Sequence, residues 1–308
     1  MAHILITGGS GFIGQALCPA LLAEAHSITV LTRDPEAAAR RLPPAVAYID
    51  RLDAIADIPP VDVLINLAGE PLAGRRWNPQ RKSLFLSSRV ELTRHLASYF
   101  SRNTPPKVVV NGSAIGFYGP HGDEVLDESS DGVTSFSHQL CAEWESQAMA
   151  FEDLGARVCC LRIGIVLGSG GGALSAMLPA FRAGLGGPMG SGRQWMSWVH
   201  RTDLVRLILH CLSCEEVRGP VNGTAPEPVT NREFSRTLGR VLHRPAVLPM
   251  PGFALRLLFG EMADELLLSG QRVAPAKALA TGFEFQFPEL EPALADVLSA
   301  NGNSANGS

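Results

Sequence analysis

The sequence predicts a doubly wound α/β fold, with helices on both faces of a parallel sheet. Two observations carry this. Short apolar runs alternate with helical patterns through the first two-thirds of the chain. Runs such as "HILITG" and "ARVCCLRIGIVLG" stay apolar instead of alternating, as strands covered on both faces do.

The elements follow in order. "HILITG" is a strand, and "FIGQALCPALLAEA" the helix after it. "SITVLTR" and "VDVLINLAG" are further strands. "RKSLFLSSRVELTRHLASYFSRN" reads as one long helix closed by Pro105 and Pro106. "KVVVNGSA" is a strand, "QLCAEWESQAMAFEDLG" a helix stopping at Gly155, and "ARVCCLRIGIVLG" a strand again. The stretch "GSGGGALSAMLPAFRAGLGGPMGSGRQW" is glycine-rich around a helical segment. It reads either as a flexible connector or as a loop over a pocket. Short helices and Pro-rich turns after Asn222 suggest a smaller lobe. The expected division is a core over 1–166, its sheet completed by about 196–224. A glycine-rich region over 167–195, a C-terminal lobe over 225–298 and a disordered tail over 299–308 follow.

The chain has 308 residues, 46% hydrophobic and 18% charged, enough for one large domain with a smaller lobe. A net charge of −4 argues against nucleic-acid and membrane partners. With no cationic leader and no long apolar run, a soluble, cytoplasmic protein is expected. Cys211 and Cys214 form a single C-x-x-C without a second pair or a suitably spaced His. The cysteines therefore read as reduced, packed thiols, and no metal site is expected.

The loop "TGGSGFIG" places Gly8, Gly11 and Gly14 between a strand and a helix. Glycines there let the backbone approach a pyrophosphate, and the helix N-terminus favours its charge. About twenty residues on, where a dinucleotide site reads the ribose, stand Thr32 and Arg33 in place of an acid. A guanidinium pairs with a 2′-phosphate, so NADP(H) is expected over NAD(H). A plain surface arginine is the alternative. Asp34 before Pro35 reads as the start of a helix.

"TGGSGFIG", "NLAG", "SAIGFYG", "LRIGIVLG" and "WVHRTDLV" occur in the order seen in extended short-chain dehydrogenases/reductases, which include sugar-nucleotide epimerases. With "NLAGEPLAGRRW" and "ATGFEFQFPEL", the chain resembles the epimerase family of atypical members, whose C-terminal part is a domain of unknown function. The resemblance runs through about residue 298. It implies a Rossmann core and a cofactor site of Gly8, Ser10, Gly11, Phe12, Ile13, Gly14, Thr32, Arg33, Leu67, Ala68, Gly69 and Glu70. It also places Arg89 on a helix facing the cofactor, against the alternative of an exposed helix arginine.

Active members use a Tyr-x-x-x-Lys pair with a Ser. This chain has Tyr48, Tyr99 and Tyr118, and Lys82, Lys107 and Lys277, none at that spacing. The matching stretch reads "SFSHQLCAEWE". Ser113 stands near the catalytic Ser place and is the one catalytic candidate; a strand-end hydroxyl bonding the backbone is equally open. Tyr118 belongs to a Tyr-Gly turn that is usually structural in relatives. Met196 and Ser197 replace the Arg and Asp of a diphosphate-binding motif, and Ile165 replaces an Asn. His200 reads as a packed strand-end residue, Asp203 as a cap or first-turn acid. Arg75, Arg76 and Arg81 around Trp77 read as an anion-binding rim or a solvated loop. Ser113, Arg193 and Trp195 are the substrate candidates.

Three functions stay open: an NADP(H)-dependent oxidoreductase or epimerase-like enzyme on an unknown small molecule, a non-catalytic NADP(H)-binding regulator, and a nucleotide-sugar epimerase. The helices "RKSLFLSSRVELTRHL" and "QLCAEWESQAMAF" match those through which relatives form homodimers. Packing on the sheet explains their apolar faces equally.

Overall fold

Seven parallel strands form the central sheet of the computed structural model, which describes residues 1–305. They are β1 (His3–Thr7), β2 (Ser27–Leu31), β3 (Ala47–Ile49), β4 (Val63–Asn66), β5 (Val108–Ala114), β6 (Arg157–Ile163) and β7 (Gly219–Gly223). Their order is β7-β6-β5-β4-β1-β2-β3. The chain runs outward from β1 in one direction, then crosses back to lay β4 on its other side. That reversal leaves a crevice beyond the carboxyl ends of β1 and β4, where open α/β sheets bind ligands.

Alternation along β1 divides the core in two. Ile4 and Ile6 face Leu17 and Leu21 of α1 (Gly14–Ala23). Leu5 packs on the opposite side with Leu96 and Phe100. All of these are at most 2% exposed, and each such side chain contributes roughly 1.5–3 kcal/mol of burial. The short α2 (Pro35–Ala39) is capped by Asp34, whose carboxylate accepts from Ala37 N at 2.9 Å, as its place before Pro35 suggests.

The long helix between β4 and β5 is α3 (Pro79–Leu86) and α4 (Leu92–Phe100), joined through a π-helical turn over Ser87–Glu91. Such turns interrupt helices chiefly at functional positions. The helix ends at Phe100, before the two prolines. Then come α5 (Phe136–Met149), α6 (Gly172–Arg182), α7 (Arg201–Ser213), α8 (Asn231–Val241), α9 (Gly252–Phe259), α10 (Ala276–Ala280) and α11 (Leu290–Ala305).

One expectation is corrected. "ARVCCLRIGIVLG" is not one strand. It leaves the sheet at Gly164, and Ile165–Leu167 pairs with Trp198–His200 instead. A Cβ on Gly164 would lie 2.4 Å from Ser197 O, so the crossing needs a glycine. Segment 196–224 therefore completes the main sheet only through β7. The last helix, α11, has its end at Ala305, inside the stretch read as a tail. Leu290, Ala293, Leu294 and Val297 anchor α11 in the C-terminal core, and a nucleated helix extends at one hydrogen bond per residue. Residues 306–308 of that tail lie outside the described residues.

The smaller lobe has its own core, with Leu174 and Phe181 of α6, Phe234 and Leu238 of α8, and Trp198. Charged groups join it to the main core at several points, among them Lys82 and Glu261, 2.7 Å apart. Glu265 accepts from Phe136 N at 3.3 Å and Ser137 N at 3.2 Å, at the first turn of α5. A carboxylate there meets free amides and the positive helix end.

Candidate functional site

A cleft of about 730 Å³ opens at the carboxyl ends of β1, β2 and β4. Its floor is the glycine loop. Gly8 has φ +71°, and a Cβ on it would lie 2.6 Å from the Leu67 backbone. A Cβ on Gly14 would fall 2.1 Å from Gly9 O, so the loop could not close onto α1. Gly8, Ser10 and Gly11 line the cleft, with Thr32, Leu67, Ala68, Gly69 and Glu70. Polar bonds hold these walls together. Thr7 Oγ1 donates to Asn66 Oδ1 at 2.5 Å and accepts from Ala68 N at 3.2 Å. Asn66 Nδ2 then donates to Thr93 Oγ1 and to Asn111 Oδ1, at 2.7 and 2.6 Å.

Arg33 lines one end of the cleft and is exposed. Arg41 and Arg51 line it too, beside Asp50, which lies 3.4 Å from Arg51. Three guanidiniums against one carboxylate make that end cationic. Sequence reasoning missed Arg41 and Arg51. Their signal was the basic pair after α2 and the "DR" that follows β3.

Phe12, Ile13 and Gly14, assigned to the cofactor with the rest of the loop, do not line the cleft. The Phe12 ring sits against Gly168, Gly171 and Gly172, under the Arg201 guanidinium 4.8 Å from its centroid. Its apolar face is thus spent on the glycine-rich turn. Ile13 and Gly14 are already starting α1.

Arg89 belongs to the π-helical turn. Its guanidinium presses on Gly69, where a Cβ would come within 2.7 Å, and stacks over Trp144 at 5.3 Å. Burial lowers its pKa, while Cys141 and Glu70 oppose that shift. It is a half-buried cation packed behind Gly69 and Ser88, which line the cleft, and not an exposed helix arginine.

Ser113 is buried and does not line the cleft. Its Oγ donates to Glu145 Oε1 at 2.6 Å. Glu145 receives two 2.9 Å bonds from Arg162. Arg162 also donates to Tyr118 Oη at 3.1 Å and lies 3.4 Å from the Phe117 ring centroid. Tyr118 donates to Asn222 Oδ1 at 2.7 Å, which agrees with a structural Tyr-Gly turn. Burial would lower the Arg162 pKa, but Glu145 outweighs it and holds the guanidinium above its ordinary value. Burial raises the Tyr118 phenol, against the pull of Arg162.

The substrate candidates do not meet. Arg193 is exposed and lines neither cavity described here. Trp195 donates from Nε1 to Asp123 Oδ1 at 2.8 Å, with the Arg272 guanidinium 4.4 Å over its ring. Trp77 is buried with Phe85 and Phe136; Arg75 and Arg76 are exposed, and Arg81 donates to Pro71 O at 3.0 Å. His200 caps α7 through Thr202 N at 3.2 Å and packs 4.0 Å from Phe287. Asp203 sits in the first turn, accepting from Gln286 N and Phe287 N at 2.8 Å each. No helix among the described residues is long and apolar enough to cross a membrane.

Comparison with known proteins agrees with this geometry. The model of the NAD dependent epimerase/dehydratase family matches residues 4–222, and that of a domain of unknown function, DUF1731, matches residues 250–297. The human epimerase family protein SDR39U1 is 39% identical over 301 residues, covering 96% of this chain and 100% of its own. A chloroplastic SDR39U1 homologue of Arabidopsis thaliana is 39% identical over 304 residues, covering 96% and 86%. The crystal structure of human SDR39U1 (isoform 2) with NADPH superimposes with a TM-score of 0.88 at 38% identity, covering 96% of this chain and 99% of that one. A nucleoside-diphosphate sugar epimerase from Corynebacterium glutamicum gives 0.76 at 29% identity, covering 97% and 58%. From the crossover of its sheet to its C-terminal lobe, this chain belongs to the NAD dependent epimerase/dehydratase family.

Proposed function

We propose that this protein binds NADP(H) and acts as an oxidoreductase or epimerase-like enzyme on a small molecule. The observation that carries the reading is the cationic end of the cleft, where Arg33, Arg41 and Arg51 converge beyond β2 and β3. A ribose 2′-phosphate there meets guanidiniums suited to bidentate pairing. Gly8 and Gly11 would hold the pyrophosphate, which a side chain at Gly8 would displace. Leu67, Ala68 and Gly69 would line the path toward the reactive end, with Glu70 at its wall and Arg89 behind Gly69. The relative crystallised with NADPH supports this choice of dinucleotide. The chemistry supplied by the bound cofactor is hydride transfer.

The protein's own part differs from a Tyr-x-x-x-Lys enzyme. No tyrosine of this chain stands four residues before a lysine. A proton donor must therefore come from another group or from the substrate. A second reading, NADP(H) binding without turnover, is favoured by one observation: the Ser113 hydroxyl is already committed to Glu145. A nucleotide-sugar substrate is the weakest reading, because buried Met196 and Ser197 stand where a diphosphate would be paired.

Deuterium transfer separates the first two readings. The protein is incubated with NADPH stereospecifically deuterated at the nicotinamide, together with a panel of small carbonyl compounds. Transfer from one face only establishes an enzyme. Intact NADPH binding with no transfer across the panel overturns that reading in favour of the binding role.

A further inference from the structure

A second cavity, of about 220 Å³, lies where the smaller lobe meets the first turn of α5. It is smaller than drug-sized ligand pockets, which begin near roughly 300 Å³. Six of the eight residues that line it are polar, beside Gly119 and Pro120. Ser135 and Ser137 come from α5 and its cap, Asp264, Glu265 and Ser269 from the lobe, with Gln271 beside them. The cavity adjoins the substrate side of the fold, because Ser137 packs on Gly116, just past the carboxyl end of β5.

Most of these groups are already paired. Glu265 holds two amides of α5. Asp264 is bound by Arg256 at 2.8 Å. Ser135 accepts from His138 N, and Gln271 donates to Gly119 O. Ser137 is the exception. It is 5% exposed, and its Oγ has no hydrogen-bond partner among the described residues. A buried hydroxyl left unpaired is costly, and its χ1 rotation is the cheapest way to reach a ligand.

The lining also excludes ligand classes. No Lys, Arg or His lines the cavity, so nothing there pairs with an anion. Both carboxylates are already compensated, one by a guanidinium and one by helix amides, so a cation gains little. Neutral donors facing hydroxyl and carboxylate acceptors fit best.

We propose that this cavity is a subsite for a small, neutral, polyhydroxylated molecule, with Ser137 as its anchoring hydroxyl. The inference rests on the NADP(H) reading and deepens it by naming the substrate class. The bound molecule carries no phosphate, which sets it apart from a sugar nucleotide.

The test is ligand-observed NMR on the full chain, with and without NADPH, by saturation transfer to erythritol and by 31P line broadening of inorganic phosphate. NADPH affinity is read in parallel by fluorescence. Erythritol is expected to give a signal, and Ser137→Ala to weaken its binding about tenfold. That variant removes an unpaired polar group, so its thermal midpoint should match or exceed that of the unmutated protein. Signal from phosphate alone, erythritol binding indifferent to Ser137→Ala, or no erythritol signal each overturns the subsite. Loss of NADPH binding, by contrast, overturns the cofactor reading, and the erythritol arm without NADPH still decides the cavity.

Discussion

Glu145 accepts a 2.6 Å hydrogen bond from Ser113, joining α5 to the carboxyl end of β5 across 32 residues of sequence. Arg162 of β6 completes the contact with two bonds to the same carboxylate. Glu145 and Arg162 are 7% and 3% exposed, so removing one partner strands a buried charge. We expect Glu145→Ala to lose about 3–5 kcal/mol, whereas Ser113→Ala loses only about 1 kcal/mol. Denaturant unfolding of both variants measures this. Equal, small losses would show that the pair is not buried in solution.

The glycine loop predicts a second effect. Gly8 has φ +71°, with backbone 2.6 Å from any added Cβ. Gly8→Ala should cost roughly 1–3 kcal/mol of stability and abolish dinucleotide binding. Gly74 has φ +94° with no atom within 4 Å of an added Cβ, so Gly74→Ala meets strain without a clash. It should leave binding intact. Thermal melts with paired NADPH titrations separate the two.

Much of this architecture is legible in the sequence. β1, β4, β5 and β6 are apolar runs because both their faces are covered, and the glycine spacing marks the loop that follows β1. β3 escapes notice because it has only three residues, with no room for a pattern. The turn at Gly164 hides inside a continuous apolar string, since both sheets it serves are buried. The site is legible where it is local, at Gly8, Gly11, Thr32 and Arg33. It is illegible where folding assembles it. Arg41 and Arg51 join Arg33 only after α2 and β3 fold back beside β2, and Ser113 finds Glu145 only through the tertiary packing of α5. Likewise nothing local marks Ser137, whose isolation depends on a lobe that arrives more than 120 residues later, its Glu265 lying 128 residues on.

Acid should weaken the fold through His200. Burial holds its pKa below the ordinary 6.5, against the opposing pull of Asp296 and Asp203. As pH falls through 6.5 the unfolded chain takes up its proton first. The stability His200 contributes is thus complete above that pH and lost below it. Protonation also turns Nδ1 into a donor and ends its acceptance from Thr202 N. His200→Asn, which keeps a capping acceptor, should flatten the decline in thermal midpoint between pH 7 and 5. An unchanged slope would assign the decline to other groups.

Thiol reactivity gives a further check on packing. Burial, helped by Glu145, pushes the Cys141 thiol up to about 11, and burial alone does the same for Cys18. At pH 8 about one in a thousand of either is thiolate. Cys214 is only half-buried. Iodoacetamide followed by peptide mass spectrometry should label Cys214 well before Cys141 or Cys18. Early labelling of Cys141 would mean that α5 opens readily from β5.

The central claim is that the guanidiniums of Arg33, Arg41 and Arg51 select a phosphorylated ribose. Fluorescence titration of the unmutated protein with NADPH and with NADH, in one buffer at one ionic strength, tests it most directly. The account predicts NADPH binding tighter by at least about tenfold, with Arg33→Asp narrowing or reversing that gap. Equal affinities for the two dinucleotides would contradict it.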